Sequence, residues 1–369
     1  MKFYIMNFDT EIASFETMTS NLGETKVFNE RCSVKDTDLL LGTDLKKWIY
    51  NRNPFNKRAE IDKLLSTLGI RNIEGYFTVT YGLSLNDALW VKPEEHRRLK
   101  WSSVNLYNNP FNEQIARFSF EGNGSVKNST SPEFDTDGAL PKCWKRVNGN
   151  IYLYKGGSTG AGNSGREPFS EAYATQLLRA MGIESSFYVP YDCIKYHGKY
   201  ASRCKLFTSE NIGFRSQSEV FYVDSFEDLL NWQLNSRFSD AFRLMYVFDA
   251  LILNEDRHLG NYGYLIDNST GNITGVAPLF DNGLGCLSYF FSNETGVSLI
   301  REFDNYMDTR LMSSGADFVD VARYCLTSEL RSCLLNLNGF KFKPVSGDYE
   351  NRAMFLDRML SRQIQKLIF

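Results

Sequence analysis

The segment LILNEDRHLGNYGYLID, residues Leu251–Asp267, decides how this 369-residue chain is interpreted. It begins as an apolar element and ends as an alternating Tyr/Leu/Ile strand pattern, with a loop between them. Within eight positions that loop carries six polar or charged side chains: Asn254, Glu255, Asp256, Arg257, His258 and Asn261. A solvated loop would explain this run, and so would a catalytic loop. The second interpretation requires matching parts elsewhere in the chain.

Length and composition indicate a large chain whose cysteines are reduced. A length of 369 residues favours two lobes or domains, and a hydrophobic content of 43% is ample for a large buried core. The net charge of −3 does not favour binding to nucleic acid or to anionic membranes. Seven scattered cysteines without a CxxC pair, together with three histidines, indicate free thiols rather than a zinc site.

No targeting or membrane segment is expected from the sequence. The start, MKFYIMNFDTEIASFE, has acids early and lacks the apolar core of a secretory signal. No run of about 18 apolar residues occurs, so a membrane span is not expected. We therefore expect a cytoplasmic protein that makes no direct contact with membrane or nucleic acid.

Strand patterns dominate the middle of the chain, and helical patterns follow. Asn148-Gly149 and His197-Gly198 each lie between two alternating runs, which predicts two strand pairs. Between these pairs, SGREPFSEAYATQLLRAMGI predicts a helix with Ser170 as its N-cap and Gly182 at its end. Nearer the amino terminus, GYFTVTYGLSL predicts a strand.

This order of elements predicts an α+β protein with a small β-rich lobe and a larger helical lobe. Four parts are predicted along the chain. They are an accessory amino-terminal region of unknown role, a linker or mobile loop, a β-rich ATP-binding lobe and a helical catalytic lobe, at residues 1–120, 121–133, 134–215 and 216–369.

Phosphoryl transfer from ATP requires a short set of parts, and the later half of that set lies around the opening segment. Asp256 and Asn261 in DRHLGN have the D-x-x-x-x-N spacing that protein kinases use between the base and a metal-binding Asn. Twenty residues later, APLFDNG places Asp281 at the end of an apolar strand, with Gly283 two positions on, as in D-F-G. Amide and carboxylate oxygens are the ligands that Mg²⁺ prefers, so Asn261 and Asp281 are the predicted metal ligands.

The parts that would hold the ATP phosphates lie upstream. In NIYLYKGG, Lys155 shares a strand face with Ile151 and Leu153, so it points toward the apolar side and needs an anion there. Glu171, in the next helix, is its predicted ion-pair partner. The turn DGALPK would let backbone groups approach phosphate and adds one positive charge; its residues are Asp137, Gly138, Ala139, Leu140, Pro141 and Lys142.

Each part alone has a simpler explanation. An Asp-Arg pair in a loop is usually a surface salt bridge, a DNG tripeptide is most often a turn, and a Lys at a strand edge can reach solvent. For His258, a structural role in shaping the loop is favoured over acid–base chemistry. The parts nevertheless occur in the order that a kinase requires, which favours the catalytic interpretation.

Taken together, DGALPK, YLYKGG, SEAYATQLLRAMGI, NEDRHLGN and APLFDNG resemble the HipA-like kinases, a bacterial serine/threonine kinase family with a two-lobed, protein-kinase-like fold. The resemblance implies transfer of the γ-phosphoryl group of ATP, with Mg²⁺, to a Ser or Thr of a protein. It implies Asp256 as the base, and Asn261 and Asp281 as Mg²⁺ ligands. It also implies an ATP site that contains residues 137–142, Lys155, Glu171 and His258, with a hinge at Lys205, Leu206 and Phe207 that offers backbone groups to adenine.

The resemblance has limits within this sequence. The first 120 residues do not resemble the family's small amino-terminal subdomain, so no specific partner or substrate is implied, although an antitoxin-like regulator fits the family. Where some relatives autophosphorylate a Ser ahead of the ATP loop, this chain has Asp135 and Thr136. Two other functions stay open: a kinase of a lipid head group or small molecule, and a kinase-like binding module paired with a regulatory partner.

Overall fold

The computed structural model describes residues 1–21, 24–32, 45–52, 54–55, 59–127, 129–136, 138–159, 164–221, 223–349 and 351–368. The strands are β1 Lys2–Asn7, β2 Thr10–Thr19, β3 Thr25–Cys32, β4 Leu89–Pro93, β5 Lys142–Val147, β6 Asn150–Gly156, β7 Tyr191–Tyr196, β8 Lys199–Lys205, β9 Ile212–Ser216, β10 Gly263–Asp267 and β11 Ile273–Val276. The helices are α1 Leu45–Asn51, α2 Ala59–Thr67, α3 Ile73–Thr80, α4 Trp101–Val104, α5 Glu113–Glu121, α6 Glu167–Ala180, α7 Gln217–Val220, α8 Phe226–Leu234, α9 Ser239–Ile252, α10 Gly296–Asp308, α11 Phe318–Cys325, α12 Ser328–Leu335 and α13 Arg352–Ile368.

The chain divides into two units that interleave in sequence. Unit 1 is formed by Met1–Lys155, Leu206–Arg215 and Tyr264–Gly275, and unit 2 by Gly156–Lys205, Ser216–Gly263 and Val276–Phe369. Unit 1 therefore contains the amino-terminal region, the DGALPK turn and Lys155. Unit 2 contains the loop 254–261 and the segment APLFDNG.

The amino-terminal part of unit 1 is a four-stranded antiparallel sheet in the order β3-β2-β1-β4. Phe3 on the inner strand β1 lies opposite Phe15 on β2 and opposite Pro93 on β4. The rings of Phe3 and Phe15 stack at 5.3 Å and form part of a buried apolar cluster. Helices α1, α2, α3 and α5 contribute the rest of this core, through side chains that include Trp48, Leu64, Phe77 and Phe118.

The hairpin of β5 and β6 belongs to the same unit and shares a core with the amino-terminal region. Its turn places Asn148 at φ 49° and Gly149 at φ 78°, which is the left-handed pair that a type I′ turn requires. Ile151 of β6 lies in a second buried cluster with Trp90 and Trp101. Strands β9, β10 and β11 form a three-stranded sheet that lies in unit 1 apart from one end residue of each strand.

A buried ion network joins three distant segments of unit 1. The Asp87 carboxylate accepts hydrogen bonds from Arg52 at 2.6 and 3.0 Å and from Arg215 at 3.1 Å. Arg52 also lies 3.6 Å from Asp135, two residues before the DGALPK segment. Because all of these side chains have little solvent contact, the network ties the amino-terminal region firmly to β9 and to residue 135.

Unit 2 is organised around the buried helix α9, which packs against α8, α11 and α13. The hairpin of β7 and β8 turns at His197 and Gly198, both with positive φ, as the sequence predicts. Helix α6 packs against this hairpin. In the described part of the chain, no helix combines the length and the apolarity needed to cross a bilayer.

Two local predictions are wrong. GYFTVTYGLSL forms most of helix α3 and a following turn rather than a strand, because Asn72 caps the helix by accepting from the Gly75 N–H, and burial of Tyr76 and Phe77 outweighs strand propensity. Helix α6 begins at Glu167, so Ser170 is not its N-cap but a buried residue within it.

Candidate active site

The loop 254–261 leaves the end of α9 through a left-handed residue. Leu253 adopts φ 51°, and its N–H bonds the carbonyl oxygen of Asp249, which ends the helix. Asn254 then turns back, and its Nδ2 donates to the Asp249 carboxylate at 3.1 Å. The chain therefore leaves a rigid, buried helix at a fixed point, and the polar loop begins there.

Within the loop, Asn261 is oriented by Asp256. The Asn261 Nδ2 donates to the Asp256 carbonyl oxygen at 2.9 Å and lies 3.5 Å from its carboxylate. With the amide nitrogen bound in this way, the amide oxygen is the group left for a ligand. The exposed His258 accepts from the Gly260 N–H at 3.0 Å through Nδ1, which agrees with the favoured role in shaping the loop.

Arg257 connects this loop to the turn that carries Asp281. Its Nη1 donates to the carbonyl oxygens of Asn261 at 3.0 Å and Phe280 at 2.5 Å, so both backbones converge on one nitrogen atom. Its Nη2 donates to the Asn282 side chain at 2.7 Å. Nε and Nη2 also form a bidentate pair with Asp249, at 2.9 and 3.0 Å. A single buried guanidinium therefore holds the two halves of the candidate site together.

The turn at residues 281–283 is held from its other side by α6. Asp281 has φ 54°, and its N–H lies 3.4 Å from the Tyr191 hydroxyl. The next N–H, of Asn282, donates to the Glu171 carboxylate at 2.9 Å. A Cβ on Gly283 would lie 3.2 Å from the Cβ of Glu167, so a larger residue would push α6 away. The sequence D-N-G therefore fits this close approach.

Burial and the charges of this site shift the pKa values of two of its side chains. Burial would lower the pKa of Arg257, but Asp249, followed by Asp281 and Glu171, outweighs burial and raises it. Burial raises the pKa of Tyr191 well above its ordinary value, and the negative charges of Glu171 and Asp281 add to the effect. Arg257 is therefore permanently charged, and Tyr191 stays a neutral hydroxyl beside the Asp281 backbone.

The residues predicted to hold phosphate lie together in unit 1. Lys142 and Lys155 are directly opposite each other on β5 and β6, so their side chains share one face of the hairpin, and both are buried. Gly138 has φ 91°, and a Cβ there would lie 2.7 Å from the Lys142 Nζ. Two buried lysine side chains therefore lie on one face of this hairpin.

The other predicted phosphate-loop residues differ in their exposure. Ala139 is exposed, whereas Leu140 and Pro141 are half-buried. Asp137 lies outside the described residues. The turn is therefore anchored at its Lys142 end and open at Gly138 and Ala139.

The remaining predicted residues are divided between the units. Lys155 lies in unit 1 and the fully buried Glu171 in unit 2, so their ion pair stays a prediction. Among the predicted hinge residues, Lys205 is exposed in unit 2, whereas Leu206 and Phe207 are half-buried in unit 1. The Leu206 N–H already donates to the Ile151 carbonyl oxygen at 2.9 Å, so an adenine contact at Leu206 would use its carbonyl oxygen.

The sequence analysis missed Asp249, which pairs with Arg257. Asp249 stands alone within the apolar run FRLMYVFDALI of α9 and is fully buried. A single carboxylate in such a run requires a buried cationic partner, and the arginine eight residues later meets that need. The isolated Asp249 was therefore the signal in the sequence that could have revealed this buried ion pair.

The chemistry of the donor set fits Mg²⁺. Asn261 and Asp281 offer an amide oxygen and a carboxylate, and Mg²⁺ commonly takes one or two such protein ligands with phosphate and water completing its shell. Within the described ranges, no group of three or more His, Cys, Asp or Glu side chains could hold a metal ion.

Comparison with known proteins identifies the fold. No protein-family model matches this sequence, and no curated protein matches it. The toxin HipA of Shewanella oneidensis MR-1, solved with HipB and its operator DNA, matches with a TM-score of 0.52 over 99% of this chain and 96% of that chain, at 13% identity. The proinflammatory kinase CtkA of Helicobacter pylori matches 63% of this chain and 90% of that chain, at 19% identity and a TM-score of 0.47. The chain has the mixed α+β, kinase-like fold of HipA, which confirms the resemblance predicted from the sequence.

Proposed function

We propose that this protein is an ATP- and Mg²⁺-dependent kinase that transfers the γ-phosphoryl group to a Ser or Thr hydroxyl of a protein. The observation that carries the proposal is the buried Arg257, which binds the loop of Asp256 and Asn261 and the turn of Asp281 at the same time. The fold shared with HipA supports the reaction class. The choice of Ser or Thr rests on the resemblance of the sequence motifs. Residues 134–215 are the proposed ATP-binding lobe and 216–369 the catalytic lobe.

Asp256 is the proposed base. The residue is partly exposed, as a base that receives a substrate hydroxyl proton must be. In the reaction the hydroxyl oxygen forms a bond to the γ-phosphorus, the bond to the β–γ bridging oxygen breaks, and ADP leaves with that electron pair. The hydroxyl proton passes to the Asp256 carboxylate, whose Oδ2 lies 3.5 Å from the Asn261 Nδ2.

The chain's other polar residues would bind and orient ATP. Mg²⁺, held by Asn261 and Asp281 together with phosphate oxygens, would neutralise charge that develops on the phosphates. Lys142 and Lys155 offer positive charge to the phosphates from one face of the hairpin. Gly138 and Ala139 are exposed residues, and their backbone N–H groups would bind phosphate oxygens.

The substitution Asp256→Asn tests this proposal. It keeps the shape of the side chain and removes the basic oxygen, so we expect phosphoryl transfer to a protein substrate, or to the protein itself, to fall by about 10²-fold or more. Glu255→Gln is the matched control, because this adjacent carboxylate pairs with Arg310 and has no assigned role. Transfer is measured with radiolabelled ATP, Mg²⁺ and mapping of the modified residue. Equal rates for Asp256→Asn and the parent would exclude Asp256 as the base.

A regulatory partner is the proposed second feature of the protein. The HipA structure that shares this fold contains HipB, and an antitoxin-like protein is therefore the partner class we propose for this chain. A kinase-like binding module without catalysis would bind such a protein but show no ATP binding by calorimetry. A kinase of a lipid head group or small molecule would place the radiolabel in an organic or small-molecule fraction rather than on protein.

A further inference from the structure

Arg352 is a fully buried arginine at the start of α13 that has no part in the site described above. Its guanidinium donates to the Ser170 hydroxyl and, at 3.4 Å, to the Arg166 carbonyl oxygen, both at the amino-terminal end of α6. It donates twice to the Cys286 carbonyl oxygen, at 3.1 and 2.8 Å. Its one carboxylate partner among the described residues is Asp348, at 3.3 Å. One side chain therefore connects α6 to the segment that follows the Asp281 turn.

The two elements that Arg352 joins contribute, together with Arg257, to the position of the Asp281 turn. Helix α6 holds the turn through Glu171, which accepts from the Asn282 N–H at 2.9 Å. Cys286, four residues further on, donates through its N–H to the Ile252 carbonyl oxygen at 2.7 Å, at the end of α9. The residues from 282 to 286 are therefore held between α6 and α9, and Arg352 bonds this segment to α6 a second time.

A neighbouring segment supports α6 along the same surface. We call residues 340–349 the strap. Lys343 and Gln176 exchange two hydrogen bonds, each of 2.9 Å, between the strap backbone and the Gln176 amide. The Val345 N–H donates to the Tyr173 hydroxyl at 3.1 Å. Arg352 follows shortly after the strap, so the carboxyl-terminal part of the chain contacts α6 from residue 176 back to residue 166.

Burial of Arg352 by itself lowers the stability of the folded protein. Removing a guanidinium from water carries a large desolvation penalty, and an apolar residue of similar volume is often as stable or more stable at such a position. An apolar residue cannot donate hydrogen bonds. The planar guanidinium of an arginine can donate to acceptors on two separate segments at once. The contacts of Arg352 therefore point to a role in fixing geometry.

We infer that Arg352 is a positioning residue that keeps α6 and the 281–286 turn in register, so that Asp281 is presented correctly for phosphoryl transfer. This inference rests on the proposed kinase function for its effect on rate. It does not rest on that function for its effect on structure, because the Glu171–Asn282 contact can be followed directly. Nothing in the sequence pattern around Arg352 indicates this role, since its acceptors on α6 and at Cys286 lie 66 to 186 residues away.

The first test is Arg352→Lys, which retains the charge and loses the fork. We expect kcat for phosphoryl transfer to fall by roughly tenfold to hundredfold, as for other small misplacements of reacting groups, with the KM for ATP changed less than about threefold. Arg358→Lys is the matched control, because Arg358 lies on the same helix, is half exposed, and pairs with Asp304 rather than with α6. Its kcat should equal that of the parent.

The second test needs no activity. Hydrogen exchange at the Asn282 amide reports the contact with Glu171, and we expect it to become about tenfold faster in Arg352→Lys but not in Arg358→Lys. Ser170→Ala is the gentler variant should Arg352→Lys not fold, because it removes one acceptor and leaves Cys286 and Asp348 as partners; the same changes, in smaller amount, are expected.

The outcomes separate the two proposals. Faster exchange at Asn282 in a protein whose parent form shows no transfer from ATP would support the positioning role and reject the kinase function. Unchanged exchange at Asn282 in the Arg352 and Ser170 variants would overturn the positioning role. An active parent whose Arg352→Lys variant has faster exchange but an unchanged kcat would also overturn it.

Discussion

The ion pair of Asp249 and Arg257 offers the sharpest test of how the candidate active site is held together. Both side chains are almost completely buried, and Arg257 has further acceptors in Asn261, Phe280 and Asn282. The substitution Asp249→Asn keeps the volume and one acceptor oxygen but leaves the buried guanidinium without a negative partner in direct contact. We expect it to reduce both stability and activity.

The size of the stability loss follows from the contacts that remain. Removing one partner of a buried ion pair costs about 3–5 kcal/mol. Because Arg257 keeps three neutral acceptors and the introduced amide would still offer a carbonyl oxygen, we place the loss near the lower limit, about 3 kcal/mol. For a unit of roughly 200 residues, this loss would lower Tm by about 6–12 °C.

The assay is urea unfolding of the parent and of Asp249→Asn, with m-values compared so that the unfolding free energies refer to the same transition. The control is Arg310→Gln, which breaks the more exposed pair with Glu255 and should cost less than about 1 kcal/mol. Phosphoryl transfer is measured on the same samples at a temperature where both proteins are folded. There we expect transfer by Asp249→Asn to fall by about tenfold or more, since Arg257 also fixes the backbone at Asn261 and Phe280.

A double substitution separates charge from packing. Asp249→Leu with Arg257→Met replaces both partners by apolar side chains, which often restores stability at buried ion pairs. We expect much of the unfolding free energy to return while transfer stays low, because no group then bonds the Asn261 and Phe280 carbonyl oxygens. The reasoning is refuted if Asp249→Asn unfolds within about 0.5 kcal/mol of the parent, or if the double variant regains full transfer.

Two further predictions concern packing and pH. Gly157→Ala should destabilise the protein by about 1–3 kcal/mol, since its Cβ would lie 2.5 Å from the Gly165 carbonyl oxygen; Gly275→Ala, whose nearest neighbour is 4.0 Å away, is the control, and urea unfolding measures both. Burial would raise the pKa of Asp87, but Arg52 and Arg215 outweigh it and hold that pKa below the ordinary 3.8. The ionised Asp87 therefore stabilises the protein fully above about pH 4, and this contribution is lost as the pH falls further. We expect Asp87→Asn to be less stable than the parent at pH 7 and to lose less of its stability between pH 5 and 2. Equal losses of stability for the two proteins over this pH range would contradict the prediction.

Local chemistry made part of the structure predictable. Asn148 and Gly149 can both adopt positive φ at little cost, so the β5–β6 hairpin follows from two adjacent residues. The loop of Asp256 and Asn261 follows in the same way from a fixed spacing after an apolar helix. For these two features, which depend on residues close together in the chain, the local sequence pattern was sufficient to predict the structure.

The features that the sequence did not reveal depend on distant contacts. Residues 75–85 carry strand-forming side chains, and the helix over residues 75–80 depends on burial against the core of unit 1 in addition to its Asn72 cap. Arg352 looks like an ordinary residue of a helix, because the groups that it holds lie 66 or more residues away in the chain. Burial and partner identity are properties of the folded chain, so a single sequence gives only indirect signals of them.

Each unit contains a pair of like charges whose proximity opposes folding locally. In unit 1, Lys142 and Lys155 lie directly opposite each other, an arrangement that destabilises a hairpin. In unit 2, Glu167 and Glu171 lie one helical turn apart and are buried beside the Asp281 turn, where like charges also oppose folding. Proteins retain such conflicts mainly at functional sites. At each pair, function rather than stability therefore accounts for the choice of residues.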